Sequence, residues 1–167
     1  METVTSNGTA KLTLPTDNEI LITRDFDAPR HLVYRAWTTP ALVMRWWSGQ
    51  RGEMKVADID LRVGGTWRYV MEAQGGFEVA FHGEYREIVE NERIVSTEVF
   101  EGAPVPDPDA LATVNTMTLT EVDGRTTLET LVQAPNQEVR DAIIDSGMEG
   151  GMQESFDALE QVAISLA

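Results

Sequence analysis

The sequence predicts an α+β fold: one strand, two short helices, about six consecutive antiparallel strands and a long C-terminal helix laid across one sheet face. Three observations carry this. Strand-like runs follow one another at Met54–Leu61, Thr66–Met71, Phe77–Val89, Ile94–Phe100, Thr113–Val122 and Arg125–Val132. Asp123-Gly124 joins two alternating runs, the strongest short-range sign of a β-hairpin. Met148, Met152, Phe156, Leu159, Ala163 and Leu166 recur every three or four residues, which is one face of a helix.

Taken in chain order, residues 1–18 are polar and then alternate briefly in AKLTLPT, an N-terminal tail with room for a short strand. The domain proper is expected over 19–167. In EILITRDF, Ile20 and Ile22 alternate with polar neighbours, the pattern of a half-buried strand. DAPRHLVYRAW opens a helix with Asp27 as its cap and Pro29 in the first turn. Leu32, Val33, Ala36 and Trp37 share one face of it. Thr39-Pro40 starts a second helix, on which Leu42, Val43, Trp46 and Trp47 repeat the spacing.

Gly64-Gly65, Gly75-Gly76, Glu90–Glu92 and Asp123-Gly124 supply the turns between the later strands. A two-residue turn at Asp123-Gly124 pairs Leu119 with Leu128, Met117 with Thr130 and Thr120 with Thr127. One face of that hairpin is then apolar and the other polar. The last helix is expected from about Asn136 to the C-terminus. Gly147, Gly150 and Gly151 each cost it about 1 kcal/mol relative to alanine, so a kink or an unfilled space beside it is expected. A sheet with one apolar face must cover it, and this helix is the element long enough to do so. EGAPVPDPDA, residues 101–110, reads as an ordered, exposed loop.

A chain of 167 residues suits one domain with a full core. Its formal net charge of −15 disfavours nucleic acid and anionic membrane surfaces as partners. No apolar run approaches a membrane span, and the N-terminus has neither the basic region nor the apolar stretch of a secretory signal. A cytoplasmic protein without membrane insertion is expected. The lack of cysteine excludes disulfides and thiolate chemistry.

No metal site is expected, because His31 and His82 both fall opposite apolar faces. There is no nucleophile elbow, and Gly64-Gly65 leads into a strand, where a phosphate site requires a helix N-terminus. No cofactor and no catalytic constellation are expected. Alternation sets Trp67, Tyr69 and Met71 on one side of their strand and Phe81, Gly83 and Tyr85 on one side of the next. Arg68, Glu84 and Arg86 face the opposite way.

ITRDFDAPRHLVYRAWTTPALVMRWW, DIDLRVGGTWRYVM and HGEYREIVENERIV, in this order and spacing, resemble a group of bacterial proteins. These are similar to the C-terminal domain of the activator of the heat-shock protein 90 ATPase, within the START-like (SRPBCC) superfamily. The resemblance runs from about Glu19 to Ala167. It implies a helix-grip fold, a curved antiparallel sheet around the C-terminal helix with a cavity between them. Relatives hold lipids, sterols, plant hormones or polyketides there, and a few catalyse cyclisation or dehydration. The sequence has no Rieske pattern, so the oxygenase branch is not implied. It departs from the group at Ser48-Gly49, where Gly-Pro is usual, so the loop after the second helix is expected to differ in course.

Under that resemblance the inward aromatic set becomes a pocket. Trp47, Trp67, Tyr69, Met71, Phe81, Tyr85, Met117, Met148, Met152 and Phe156 are the expected ligand-binding residues, around a cavity on the order of a few hundred Å3. Buried phenols would orient a ligand and thioethers would adapt to it. Plain core packing suits the same residue types, and both readings stand at this point. Helical geometry puts Trp46 mid-stripe, between Leu42 and Val43, as core; Trp47 falls at the stripe's edge, near the cavity rim.

The function implied first is binding of a small hydrophobic or amphipathic ligand by a monomer or homodimer. One alternative is an interaction domain with a chaperone partner. The other is a cyclase- or dehydratase-type enzyme, which requires titratable groups with shifted pKa values to converge in the cavity.

Overall fold

The computed structural model describes the backbone of residues 2–5 and, with side chains, residues 10–102 and 104–167. Met1, residues 6–9 and Ala103 lie outside the described residues, and with them part of the expected tail and one position of the acidic loop. The elements in order are β1 (Glu2–Thr5), β2 (Lys11–Leu14), β3 (Glu19–Phe26), α1 (Arg30–Thr38), α2 (Pro40–Trp46), β4 (Gly52–Ile59), β5 (Thr66–Ala73), β6 (Glu78–Val89) and β7 (Arg93–Phe100). A 3-10 turn at Pro108–Leu111 leads to β8 (Thr113–Val122), β9 (Arg125–Gln133), α3 (Gln137–Asp145) and α4 (Met148–Ser165). The strands form one antiparallel sheet in the order β1-β2-β3-β9-β8-β7-β6-β5-β4. The core fills the space between one face of this curved sheet and α1, α2 and α4.

The β8–β9 hairpin has the expected register: Leu119 pairs with Leu128, Met117 with Thr130 and Thr120 with Thr127. Asp123 and Gly124 lie at φ 52° and 76°. That is the left-handed pair of a type I′ turn, whose twist matches the strands on either side.

Two local expectations are corrected. Asp27 does not cap α1, because Pro29 with its extended backbone takes the cap position and leaves Asp27 two places upstream. The helix finds its acceptor elsewhere in the fold: Arg30 N donates to the Glu121 carboxylate at 2.8 Å. The single helix expected from Asn136 is two helices. Asn136 caps α3 by accepting from Val139 N at 2.8 Å, and the chain then breaks at Gly147, φ 81°. Glycine enters that left-handed region without the steric penalty of a Cβ, so the break falls there.

Three contacts hold α4 against the sheet. Gln153, buried on the helix, exchanges two hydrogen bonds of 3.1 and 3.0 Å with the backbone of Ala10, tying the segment before β2 to α4. Arg24 on β3 is 3% exposed, and its Nη2 lies 3.2 Å from both Asp157 and Glu160 of α4. Its guanidinium also sits 4.7 Å from the Phe26 ring centroid, while Nε and Nη1 are buried without a hydrogen-bond partner among the described residues. Third, the loop after α2 is fastened to the first turns of α4. Ser155 Oγ donates to Trp47 O at 2.7 Å, Gln50 N donates to Glu154 at 3.1 Å, and Gly49 turns with φ 57° directly against Glu154.

Two features of the sheet matter below. Trp67 on β5 pairs with Gly83 on β6, and its indole N–H reaches over the glycine to donate to Thr97 O on β7 at 3.2 Å. At the far end, β4 is the outer strand and carries a bulge at Lys55, whose Nζ lies 3.6 Å from both Glu53 and Glu72.

A candidate ligand cleft under the tryptophans

Cross-strand pairing decides which side chains meet on the inner face, since paired residues in an antiparallel sheet point the same way. Tyr85, Ser96, Asn115 and Val132 form one row across β6, β7, β8 and β9. Ile94, Met117 and Thr130 form the next. A third begins at Trp67 and Gly83; His82 pairs with Val99 and Tyr85 with Ser96, so the same offset sets Glu98 opposite Gly83. Glycine contributes no side chain there, and the Trp67 indole takes up the place, its Nε1 2.6 Å from where a Cβ would stand.

Trp67 and Glu98 both border a cleft of about 90 Å3. Its apolar walls are Trp37 from α1, Trp47 from the end of α2, Trp67 and Tyr69 from β5, Tyr85, Ile94 and Met117. Its polar wall is Ser96, Glu98, Asn115 and Thr130. Among the described residues this cleft is smaller than the cavity on the order of a few hundred Å3 expected for the fold. The aromatic rings fill most of that space by packing on one another: Trp67 and Tyr69 have centroids 4.7 Å apart, Trp47 and Tyr69 5.4 Å, and Trp37 and Trp46 4.9 Å. A larger hollow of about 520 Å3 lies between β3 and α4, but it is an open, charged groove walled by Arg24, Asp25, Asp27, Arg125 and Glu160.

The structure gathers Trp47, Trp67, Tyr69, Tyr85 and Met117 around the cleft, out of the ten residues expected there. Phe81 packs behind Trp47 at 5.5 Å, and Phe156 behind Trp37 at 5.8 Å. Met71, Met148 and Met152 are half-buried against the core and do not reach it. Trp46 is 2% exposed and donates its indole N–H to Ala36 O at 2.9 Å, whereas Trp47 is half-buried and borders the cleft.

Glu98 is the residue that sequence reasoning missed. It faces the cleft and so keeps part of its surface accessible, yet protein surrounds it, and burial pushes its carboxyl above the ordinary carboxylate value. The Asn115 side-chain amide donates to it at 3.3 Å and pulls weakly the other way. Tyr69 is raised well above the ordinary phenol value, first by burial, then by Tyr85 and Glu98. Tyr85 is raised as well, again first by burial. Thr130 Oγ1 is buried without a hydrogen-bond partner among the described residues. The signal for Glu98 was weak: alternation sets Ser96 and Glu98 on the face of Ile94, but Val95 and Val99 make the opposite face no less apolar.

His82, expected to be half-exposed and structural, lies on the outer face of the sheet. Its Nδ1 is 2.9 Å from Glu101, which also accepts two bonds of 2.8 and 2.9 Å from Arg68. Asp109 in the 3-10 turn is 3.8 Å from His82 Nε2. Among the described residues no group of three or more His, Cys, Asp and Glu is placed to hold a metal ion. The Arg68 hydrogen bonds hold the Glu101 carboxyl down to about 2, against an ordinary 4.5. A lowered folded-state value means that the stabilisation is present above pH 4.5 and is lost as pH falls towards 2. Arg68→Ala should therefore lower stability above pH 4.5, by a small amount because the pair is exposed, and leave it unchanged near pH 2, so that the acid limb of the stability-against-pH curve flattens. Denaturant melts at a series of pH values check this.

No helix among the described residues is long and apolar enough to cross a membrane. Residues 27–163 match the family described as activator of Hsp90 ATPase homolog 1-like protein. A crystal structure from Rhodobacter sphaeroides superposes with a TM-score of 0.84 at 22% identity, covering 93% of this chain and 99% of that one. One from Chromobacterium violaceum gives 0.76 at 30% identity, covering 89% and 98%. A solution structure from Arthrobacter aurescens gives 0.80 at 22%, covering 92% and 91%. No curated protein matches the chain. The motif order, the helix held across a curved sheet and the match over 27–163 agree, and the chain belongs to the family of activator of Hsp90 ATPase homolog 1-like proteins, with the START-like helix-grip fold.

Proposed function

We propose that this protein binds a small amphipathic molecule, or the small polar end of a larger one, in the cleft under Trp37 and Trp47. The observation that carries the reading is the make-up of the cleft: aromatic walls on one side, and on the other a few polar groups whose hydrogen-bonding capacity the protein leaves partly unused. Ligand sites are built this way, with apolar surface for affinity and sparse polar groups for orientation. A cleft of about 90 Å3 admits only a few heavy atoms. Larger occupants require the rings to part, and Trp47, at the end of α2 and half-buried, is placed to move. Met148 and Met152, beside the glycine-rich start of α4, would join the wall if the cleft widened in that direction.

An enzymatic reading of cyclase or dehydratase type is favoured by one observation. Glu98 and Tyr69 face the same cleft, and burial raises both. A chaperone-docking reading finds less support. The most exposed large apolar residues are Val63 and Phe77, in the turns at opposite ends of β5, and Val122, the last residue of β8; they stand apart in the chain and do not amount to the broad apolar face such docking requires.

Native mass spectrometry of the protein purified from its own host tests the binding reading. A reproducible small-molecule adduct is expected, with reduced occupancy in Trp47→Ala. An apo mass, together with no response of the tryptophan indole signals to a panel of amphipathic molecules, would overturn it.

A further inference from the structure

The polar wall of the cleft holds one carboxyl group, Glu98, and no cation among the described residues offsets it. Glu98 has no cation paired to it among the described residues, and its one side-chain hydrogen bond is the 3.3 Å contact from Asn115. Facing it are Trp37, Trp47, Trp67, Tyr69 and Tyr85, drawn from two helices and two strands. Aromatic faces carry negative potential and attract a desolvated cation. The free hydroxyl oxygen of Thr130 adds an acceptor to the same space. A carboxylate, an uncommitted acceptor and a box of aromatic rings together favour positive charge and disfavour negative charge. The chain's net charge of −15 acts in the same sense at long range.

Resting on the binding function proposed above, we infer that the occupant carries a protonated amine, and that its ammonium group sits between Glu98 and the rings of Trp67 and Tyr69. The ammonium donates to the free Glu98 oxygen and to Thr130 Oγ1, and the attached carbons lie against Trp37 and Trp47. The size of the cleft suits an ammonium group with a chain of a few carbons. No covalent step is involved; the carboxylate and the amine pair as ions, a charge-assisted contact stronger than a neutral hydrogen bond.

The test compares three probes of matched shape, propylammonium, propan-1-ol and propionate, each titrated into the full chain at pH 7. The indole N–H signals of the four tryptophans report binding. Propylammonium is expected to bind at least tenfold more tightly than propan-1-ol, and propionate more weakly than either. Glu98→Gln should abolish the preference for the amine over the alcohol. Glu98→Asp, which keeps the charge and withdraws it by one methylene, should reduce the preference, and it serves if the glutamine variant does not fold. Equal or tighter binding of the alcohol would overturn the cation site while leaving binding in the cleft intact. A preference that survives in Glu98→Gln would equally overturn it. Should none of the probes move an indole signal, the ammonium site is wrong, and the broader binding function is then decided separately by the adduct measurement.

Discussion

Trp46→Ala is expected to lower stability by about 3–5 kcal/mol, the range for emptying the site of a fully buried large aromatic. Trp46 is 2% exposed, its indole N–H is satisfied by Ala36 O, and its ring packs on Trp37, so its removal leaves a cavity and an unpaired carbonyl together. Trp47→Ala, one residue on, should cost less, because that ring is half-buried and already borders open space. Under the binding function proposed above, occupancy of the cleft should fall more in Trp47→Ala than in Trp46→Ala. Chemical denaturation of the two variants and occupancy of the cleft give the answer. Equal stability losses with unchanged binding would show that no division between anchor and wall exists.

The second large effect is at Gly83. A Cβ built there would lie 1.8 Å from Thr97 O and 2.6 Å from Trp67 Nε1. The first neighbour is backbone, so a side-chain rotation cannot relieve it; β6 must move away from β7, and Trp67 must leave its place as well. Gly83→Ala should cost roughly 3 kcal/mol or more, at the upper end of what overpacking does. The Trp67 indole hydrogen bond to Thr97 should be lost with it. The Trp67 indole N–H signal and its hydrogen-exchange rate read out that loss. A variant with wild-type stability and a protected indole proton would mean that the strands part more easily than the geometry indicates.

The parts of this fold that could be read from the sequence are those set by short stretches of chain. Asp123-Gly124 fixes its own turn and, through it, the pairing of Leu119 with Leu128. The arc of α2 separates Trp46, its last residue, from Trp47, which caps it. What escaped reading was decided by partners distant in the chain. Glu98 stands in a run where polar residues occupy both faces, so its strand alone does not announce which face is buried. The row it shares with Gly83 exists only once β6 and β7 are in register.

Gly147 was legible as a weak point, but whether a glycine bends a helix or ends it depends on the backbone angle that packing imposes. Asp27 had the chemistry of a cap, and Pro29 moved the helix start out of its reach. The volume of the cleft depends on how four tryptophans and their neighbours settle against one another, and no spacing rule contains that.

The bulge at Lys55 governs how this sheet meets other chains. An outermost strand presents unpaired N–H and C=O groups that can template a foreign strand, the first step of edge-to-edge aggregation. On β4 the extra residue interrupts the run of evenly spaced groups, and a lysine held between Glu53 and Glu72 brings charge to the same point. A strand docking there would have to strip water from that charge and match a kinked template. The protein therefore ends its sheet at β4 with a strand poorly suited to extension by a strand from another chain.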